Sequence, residues 1–388
     1  MRKTLFSFLI LAVICCAEKQ PEKEKSNASA SRWSAEQAWD WYNDQPWLVG
    51  ANFNPSTSIN QLEFWQEATF DPTTIDKELK WSAELGMNLH RVYLHNLLWE
   101  QDSTGFLSRL DTYLSLADKH DIKTMFVLLD DVWHPVPKPG KQPDPVPHVH
   151  NSGWVQAPGA AILGDTTRHD ELEPYIKGVV KHFANDDRVL VWDVYNEPDN
   201  VAHQQGRVEL EVKDKQKYSL ALLRKVIKWA RDAGPKQPLT TGIWRGTIDH
   251  WGTLDSLPPV DRFMMEQSDI ISFHAYDNDM DAVRRKITEL KKYGRPLLCT
   301  EYMARTNNNT FLNMMPILKE DKIAAINWGF VAGKSNTIYP WKSWDSTFVS
   351  EPKIWFHDVL RQDGSPYSEE EVDFIRQMTE RGAVVETE

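Results

Sequence analysis

The sequence predicts an α/β fold, a single (β/α)8 TIM barrel, from three observations. Eight short apolar runs alternate with segments that carry apolar residues at helical spacing. The runs are apolar throughout, which is typical of parallel strands buried on both faces. A count of eight favours a closed barrel over an open doubly wound sheet, and no glycine-rich phosphate-binding turn follows the first run.

The predicted elements follow in order along the chain. The first helix is predicted from an N-cap at Asp71, Pro72 in its first turn and a stop at Gly86. Later helices are predicted from apolar residues three or four positions apart, and residues 367–381 predict a closing helix. One domain is therefore expected over residues 41–388. Its predicted strands are 47–53, 88–95, 124–130, 189–195, 238–243, 270–276, 296–300 and 323–330.

The N-terminal 16 residues have the pattern of an export signal. A basic start at Arg2 and Lys3 precedes an apolar stretch at 5–14 that is too short to span a bilayer. The stretch ends at Cys15 and Cys16, which resembles the lipobox of bacterial lipoproteins. We expect Cys16 to carry the lipid, with Cys15 or an ordinary secretory signal as the alternatives. Residues 17–40 are predicted to be a flexible tether, so the protein is expected outside the cytoplasm, facing the periplasm or on the cell surface, and held to a membrane by this anchor alone.

The net charge and the tryptophan content indicate which class of molecule the protein binds. The formal net charge of −12 argues against a nucleic-acid partner, because phosphates would be repelled. Seventeen tryptophans exceed what a core of this size requires. Indole faces pack well against sugar rings, although each tryptophan could instead belong to the core. A carbohydrate partner is therefore expected.

Polar and aromatic side chains lie where the predicted strands end, and these ends share one mouth in a barrel. Two of them, Glu197 and Glu301, end the fourth and seventh strands. Glycosidic bond cleavage uses two facing carboxyl groups, with a gap of about 5–5.5 Å for retention and about 6.5–9.5 Å for inversion. The other predicted strand-end residues are Asn52, Asn54, Arg91, His95, Asp130, Asp131, His134, Asn196, Trp244, His274, Tyr276 and Trp328. All of them except Asn52 and His134 are predicted to bind the substrate, although each could instead satisfy backbone groups of the loops.

The connection over residues 131–168 is long for a barrel, and such loops are usually lids or binding loops. We expect Trp133 and Trp154 to line the cleft, and a loop that blocks one end of the cleft would explain cleavage from a chain end. Asp131 with His134, His148 and His150 is an alternative metal site. No tight ligand motif supports it and two-carboxylate chemistry needs no metal, so no cofactor is expected.

Four short motifs resemble the clan A glycoside hydrolases, and most closely the cellulase-type family 5 group, over about residues 47–360. They are Asn-Glu-Pro at 196–198, His-Ala-Tyr at 274–276, Thr-Glu at 300–301 and Trp-Gly at 328–329. The chain departs from that group at Asp130 and Asp131, where a histidine is common, and in the residues around Arg91. Since these positions would touch the same sugar, its identity stays open.

The resemblance implies a role for each matching residue. Glu197 would be the acid/base and Glu301 the nucleophile, while Asn196 would bind the 2-hydroxyl of the sugar being cleaved. The remaining matches are Arg91 and Tyr276 beside Glu301, His274 near the same pocket, and Trp328 as the floor on which the sugar stacks. A cation such as Arg91 is expected to lower the pKa of Glu301, and a dry setting is expected to keep Glu197 protonated.

The resulting hypothesis is a retaining glycoside hydrolase that cleaves β-linked bonds in a plant- or algal-type polysaccharide or its oligosaccharides. Two alternatives remain at this point. One is a catalytically silent sugar-binding lipoprotein on the same barrel. The other is a transglycosylase, which forms the same intermediate and differs only in what attacks it.

Overall fold

Eight parallel strands pair in sequence order from β1 to β8, and β8 pairs with β1, so the sheet closes into a barrel. The computed structural model describes residues 31–201, 206–245 and 256–380. Each strand lies within one predicted strand or one residue beyond it, so the predicted barrel is confirmed. The strands are β1 (Val49–Asn52), β2 (Leu89–Tyr93), β3 (Lys123–Val127), β4 (Val189–Asn196), β5 (Leu239–Ile243), β6 (Ile271–His274), β7 (Leu297–Glu301) and β8 (Ala324–Trp328).

Helices surround the barrel and pack their apolar faces on its strands. The helix start predicted at Asp71 is confirmed. The Asp71 carboxylate accepts a hydrogen bond from the backbone N–H of Thr74, and Pro72 is the first residue of the helix. The helices are α1 (Ala35–Asn43), α2 (Gln61–Trp65), α3 (Pro72–Glu84), α4 (Asn96–Lys119), α5 (Ala160–Leu163), α6 (Glu173–His182), α7 (Lys215–Asp232), α8 (Pro259–Gln267), α9 (Met280–Lys291), α10 (Phe311–Glu320) and α11 (Glu369–Met378). Among the described residues, no helix is both long and apolar enough to cross a membrane.

The boundary predicted for the tether at residue 40 is wrong. Helix α1 begins at Ala35, and its buried residues Ala38 and Tyr42 pack with the starts of the strands, such as Leu89 and Leu298. Even earlier, the guanidinium of Arg32 donates to the backbone oxygen of Ser268 at 2.7 Å. The folded domain therefore begins before residue 41, and α1 covers the end of the barrel opposite the mouth. The predicted signal, Cys15, Cys16 and residues 17–30 lie outside the described residues.

Candidate active site

A cavity of about 530 Å³ opens where the strands end. Among its lining residues are both predicted glutamates, together with six tryptophan or tyrosine rings. The lining consists of Val132, Trp133, His150, Asn196, Glu197, Asn200, Trp244, His274, Tyr276, Asp277, Lys286, Glu301, Trp328, Trp341, Trp344 and His357. The size and the mixture of aromatic and polar groups are typical of a site for a small organic ligand.

The two glutamates face each other through His274. Its Nδ1 lies 2.6 Å from Oε1 of Glu197, and its Nε2 lies 3.4 Å from Oε1 of Glu301. One carboxylate oxygen of each glutamate and a ring nitrogen lie within 4.8 Å of one another, and among the described residues no other acidic, histidine or cysteine group is close enough to share a metal ion. The prediction that both carboxyl groups meet in one cavity is confirmed by this geometry.

Local backbone geometry aims Glu197 into the cavity. The residue directly follows β4 and has φ of +45°, a left-handed conformation that is uncommon for a residue other than glycine. Its backbone N–H donates to the oxygen of Gly242 at 2.9 Å, which ties this turn to β5. Its Oε2 accepts from the amide of Asn200 at 2.6 Å. Such strain is concentrated at functional sites, where the surrounding structure holds it in place.

Arg91 lies beneath the cavity and organises its floor. The guanidinium is fully buried and donates to Asp193 at 2.7 Å, to Glu301 at 2.9 Å and to the amide oxygen of Asn196 at 2.6 Å. It also donates to Oδ1 of Asn52 at 2.8 Å. One buried cation therefore fixes the orientation of the carboxylate of Glu301 and of the amide of Asn196.

Two tyrosine hydroxyls complete the shell of donors around Glu301. Tyr93 donates to Oε1 at 2.9 Å, and Tyr276 donates to Oε2 at 3.0 Å. Both hydroxyls remain protonated, because burial raises their pKa well above its usual value. Glu301 therefore accepts hydrogen bonds on both of its oxygens.

Burial sets the protonation tendencies of the site. It raises the pKa of Glu301, although the charge of Arg91 acts in the opposite direction. Arg91 thus lowers the pKa of Glu301 as expected, but desolvation raises it by more, so the net shift is upward. Burial also lowers the pKa of His274 to about 4, so this imidazole is neutral at neutral pH.

Eight predicted residues line the cavity, whereas six others predicted to bind substrate do not. One of the six is Arg91, which is fully buried beneath the floor, so its predicted contact with substrate is wrong. Asp130 and Trp154 lie below Asn196. The Asp130 carboxylate accepts from the Asn196 amide and from the Trp154 indole, both at 3.0 Å. Burial raises the pKa of Asp130 to about 8. The prediction of substrate contact is wrong for both, because their polar atoms are used inside the protein to support Asn196.

Asp131, His95 and Asn54 also bond to the protein rather than lining the cavity. Asp131 accepts from the hydroxyl of Tyr195 and from the backbone N–H of Asp199, at 2.5 and 2.7 Å. His95 caps α4, and its Nε2 bonds the backbone oxygen of Gln156 at 2.8 Å. The amide of Asn54 donates to the backbone oxygen of Ser58 at 2.6 Å. Predicted substrate contact is wrong for these three residues as well.

The alternative metal set is dispersed. The Asp131 carboxylate accepts the hydrogen bonds from Tyr195 and Asp199 given above. Nδ1 of His134 accepts a hydrogen bond from the backbone N–H of Val136 at 3.1 Å. His148 bonds the hydroxyl of Tyr339 at 2.6 Å, and His150 bonds the backbone oxygen of that residue at 2.7 Å. The two histidines thus connect the β3 and β8 loops.

Seven residues of the cavity lining are missed by strand-end reasoning, and three of them are Val132, Asp277 and Lys286. Trp341, Trp344 and His357 come from the long connection after β8, and Asn200 follows the turn after Glu197. A tryptophan-rich segment after the last strand (341–355) is the signal that could have indicated the three residues after β8. Their location depends on how this segment folds back across the mouth.

Comparisons with known proteins agree with this architecture. The model of the family described as cellulase (glycosyl hydrolase family 5) matches residues 50–334. No curated protein matches at the sequence level. Among solved structures, GH5_18 from Streptomyces cattleya in complex with GlcNAc is 11% identical, with a TM-score of 0.55, over 87% of this chain and 80% of that one.

Two further solved structures share the fold. The endo-β-1,4-mannanase from Thermotoga petrophila is 12% identical, with a TM-score of 0.54, over 89% of this chain and 79% of that one. The β-1,4-mannanase from the sea hare Aplysia kurodai is 15% identical, with a TM-score of 0.53, over 72% of this chain and 87% of that one. The family model covers well over half of the chain and includes the strands that carry both glutamates, so the predicted family is confirmed. The chain belongs to glycosyl hydrolase family 5 and is a glycoside hydrolase.

Proposed function

We propose that the protein is a retaining glycoside hydrolase that cleaves β-linked bonds of a polysaccharide or oligosaccharide by double displacement. The observation that carries this proposal is the spacing of its two carboxylates. Oxygen atoms of Glu197 and Glu301 lie within 4.8 Å of each other across one cavity. This gap fits the separation of about 5–5.5 Å used for retention and leaves no room for the interposed water of an inverting enzyme.

In the first step, the carboxylate of Glu301 attacks the anomeric carbon while the bond from that carbon to the leaving oxygen breaks. Glu197 donates its proton to the leaving oxygen, and a glycosyl ester forms on Glu301. In the second step, Glu197 takes a proton from a water molecule whose oxygen attacks the same carbon. The ester bond then breaks, the sugar leaves with its original configuration, and both glutamates return to their starting states.

The hydrogen bonds around His274 are compatible with these starting states. Because this imidazole is neutral, one ring nitrogen accepts and the other donates. We assign Nδ1 as the acceptor from a protonated Glu197, which places the N–H of Nε2 toward the carboxylate of Glu301. This tautomer keeps the proton on the acid and the negative charge on the nucleophile.

The sugar is positioned by Asn196 and Trp328. The amide oxygen of Asn196 is fixed by Arg91, and one of its N–H groups is used by Asp130. The second N–H is left to bind the 2-hydroxyl of the sugar. The indole of Trp328 lines the cavity and is held edge-on by Tyr93 and Trp154, at ring distances of 5.7 and 5.9 Å. It supplies the apolar face on which the sugar rests.

The test uses Glu301→Gln and Glu197→Ala against wild type on a panel of aryl β-glycosides and β-linked mannans and glucans. We expect Glu301→Gln to lose activity on every substrate. Glu197→Ala should retain activity only on aryl glycosides with good leaving groups, and added azide should restore turnover by giving a β-glycosyl azide. NMR of the first product should show the β anomer.

Equal behaviour of the wild type and both variants over the whole panel would instead identify a sugar-binding protein without catalysis. A first product of α configuration would contradict the retaining mechanism alone. Product analysis with added acceptor sugar measures transglycosylation, since that reaction replaces only the water of the second step.

We further propose that residues 1–16 direct export and that Cys16 carries a lipid. The proposal is supported by the sequence pattern at the N-terminus. Wild type expressed in a bacterial host should partition into the detergent phase and should incorporate labelled fatty acid. Cys16→Ser should abolish both, whereas loss in Cys15→Ser alone would assign the lipid to Cys15.

A further inference from the structure

Three loops join above one half of the barrel mouth and form a continuous wall. We define the wall as residues 54–63 after β1, 133–155 after β3 and 333–344 after β8. Strand β2 adds no long loop, because α4 begins at Asn96, three residues after Tyr93. The described wall therefore extends over the neighbouring strands β8, β1, β2 and β3.

Hydrogen bonds tie the β3 part of the wall to the β8 part. The backbone N–H of Asn151 donates to the oxygen of Ser335 at 2.8 Å, and that of His150 donates to the hydroxyl of Ser343 at 2.9 Å. The indole of Trp344 donates to the backbone oxygen of His150 at 3.0 Å. On the cavity side, the rings of Trp133 and Trp344 meet edge to face at 5.7 Å. Two backbone hydrogen bonds, one indole hydrogen bond and one ring contact therefore join the described β3 and β8 parts of the wall.

The β1 part of the wall is held to both of the other parts. The backbone N–H of Lys334 donates to the oxygen of Ser56 at 3.0 Å. A Cβ on Gly333 would lie only 2.3 Å from the same oxygen, so the two backbones are in close contact. The amide of Asn60 donates to the backbone oxygen of Gly153 at 2.8 Å. The wall is thus built from three mutually bonded segments.

The wall lies on the side of the cavity that must hold the sugar being released. Glu197 donates its proton to the leaving oxygen, so the leaving group extends toward Glu197, Asn200 and Trp244 at β4 and β5. The sugar whose anomeric carbon reacts lies on Trp328 at β8, where the wall stands. Cleavage inside a chain requires further sugars beyond that position, on the side of the mouth where the wall stands.

We propose, on the basis of the retaining function inferred above, that the site binds the non-reducing end of a β-linked glycan and releases one terminal sugar at a time. The ligand class is a neutral β-linked oligosaccharide whose terminal ring enters the cavity between Trp328 and the wall. The rest of the chain leaves past Trp244.

The test is the order of products from β-1,4-mannohexaose and β-1,4-glucohexaose, each labelled at the reducing end with 2-aminobenzamide. We expect labelled pentaose to be the first labelled product, followed in order by shorter ones, with free monosaccharide released from the start. Labelled tetraose or shorter among the initial products would overturn the proposal. If cleavage is internal but depends on Glu301, the retaining function stands and only the terminal mode is wrong. If neither hexaose nor any aryl glycoside is cleaved, the proposed function fails as well.

A variant that opens the wall gives a second measurement. Replacing both Trp133 and Trp344 by alanine removes the two rings that meet above the cavity. We expect the share of internal cleavage to rise by about tenfold, a size typical of the loss of a few apolar contacts in a specificity pocket. Trp39→Ala is the matched control, since this indole lies on α1 at the opposite end of the barrel. An equal product pattern in both variants would show that the wall does not select the chain end.

Discussion

The hydroxyl of Tyr276 offers a sharp test of how Glu301 is kept reactive. It donates to Oε2 of Glu301 at 3.0 Å and is the only side-chain donor on that oxygen among the described residues. Tyr276→Phe removes the donor and keeps the ring, which packs edge to face on Trp341 at 5.2 Å. A hydrogen bond to a charged acceptor contributes about 1.5–3 kcal/mol.

The sign of the effect follows from which form of Glu301 the hydroxyl stabilises. The bond favours the carboxylate, so its loss favours the protonated acid and raises the pKa of Glu301 further. Since one pKa unit corresponds to about 1.4 kcal/mol, the expected increase is about 1–2 units. A nucleophile must be ionised, and the acidic limb of kcat/KM should therefore move to higher pH by that amount.

The assay is kcat/KM on an aryl β-glycoside across the acidic and neutral range, for wild type and Tyr276→Phe. Tyr302→Phe is the matched control, because this buried tyrosine directly follows Glu301 and its hydroxyl has no hydrogen-bond partner in the part of the chain that the structure describes. The control should leave the acidic limb in place. An unchanged limb in Tyr276→Phe, or the same shift in both variants, would refute the reasoning.

Three other changes have defined outcomes. Arg91→Met should lower the free energy of unfolding by about 3–5 kcal/mol in urea titrations, because it leaves the buried carboxylates of Asp193 and Glu301 without their cation; a loss below about 1 kcal/mol would contradict this view. Burial raises the pKa of Glu78 from 4.5 to about 7, so the free energy of unfolding of the wild type should fall as pH rises from about 4.5 through 7. Relative to the wild type, Glu78→Gln should become more stable by up to about 3 kcal/mol over that range. A difference between the two proteins that does not vary with pH would show that Glu78 does not titrate in this way. Trp244→Ala should lower kcat/KM about three- to tenfold on a hexasaccharide but little on an aryl monoglycoside, because Trp244 faces the leaving group; an equal loss on both substrates would place it elsewhere.

The sequence by itself determined the barrel and its two glutamates. A buried parallel strand can be predicted from a few neighbouring residues, because it is a continuous apolar run. The helices between the strands can be predicted in the same way, because their apolar residues recur every three or four positions. Because the carboxyl ends of all strands in such a barrel share one mouth, the positions of Glu197 and Glu301 at two strand ends were enough to bring them together. Helices α2, α5 and α10 were not predicted from the sequence. The first two, at five and four residues, are too short to show a helical period, and Pro316 interrupts the pattern of α10.

Only the tertiary structure decided which strand-end side chains face the cavity. Asp130 and Asp131 are neighbours after β3, yet both are turned into the protein by donors from Asn196 and Tyr195 that lie more than 60 residues away. Likewise, the contact of His150 with Ser343 joins residues 193 positions apart. Local sequence patterns do not encode such contacts, because they form only when the barrel pairs β3 with β4 and brings the β3 and β8 loops to the same side of the mouth.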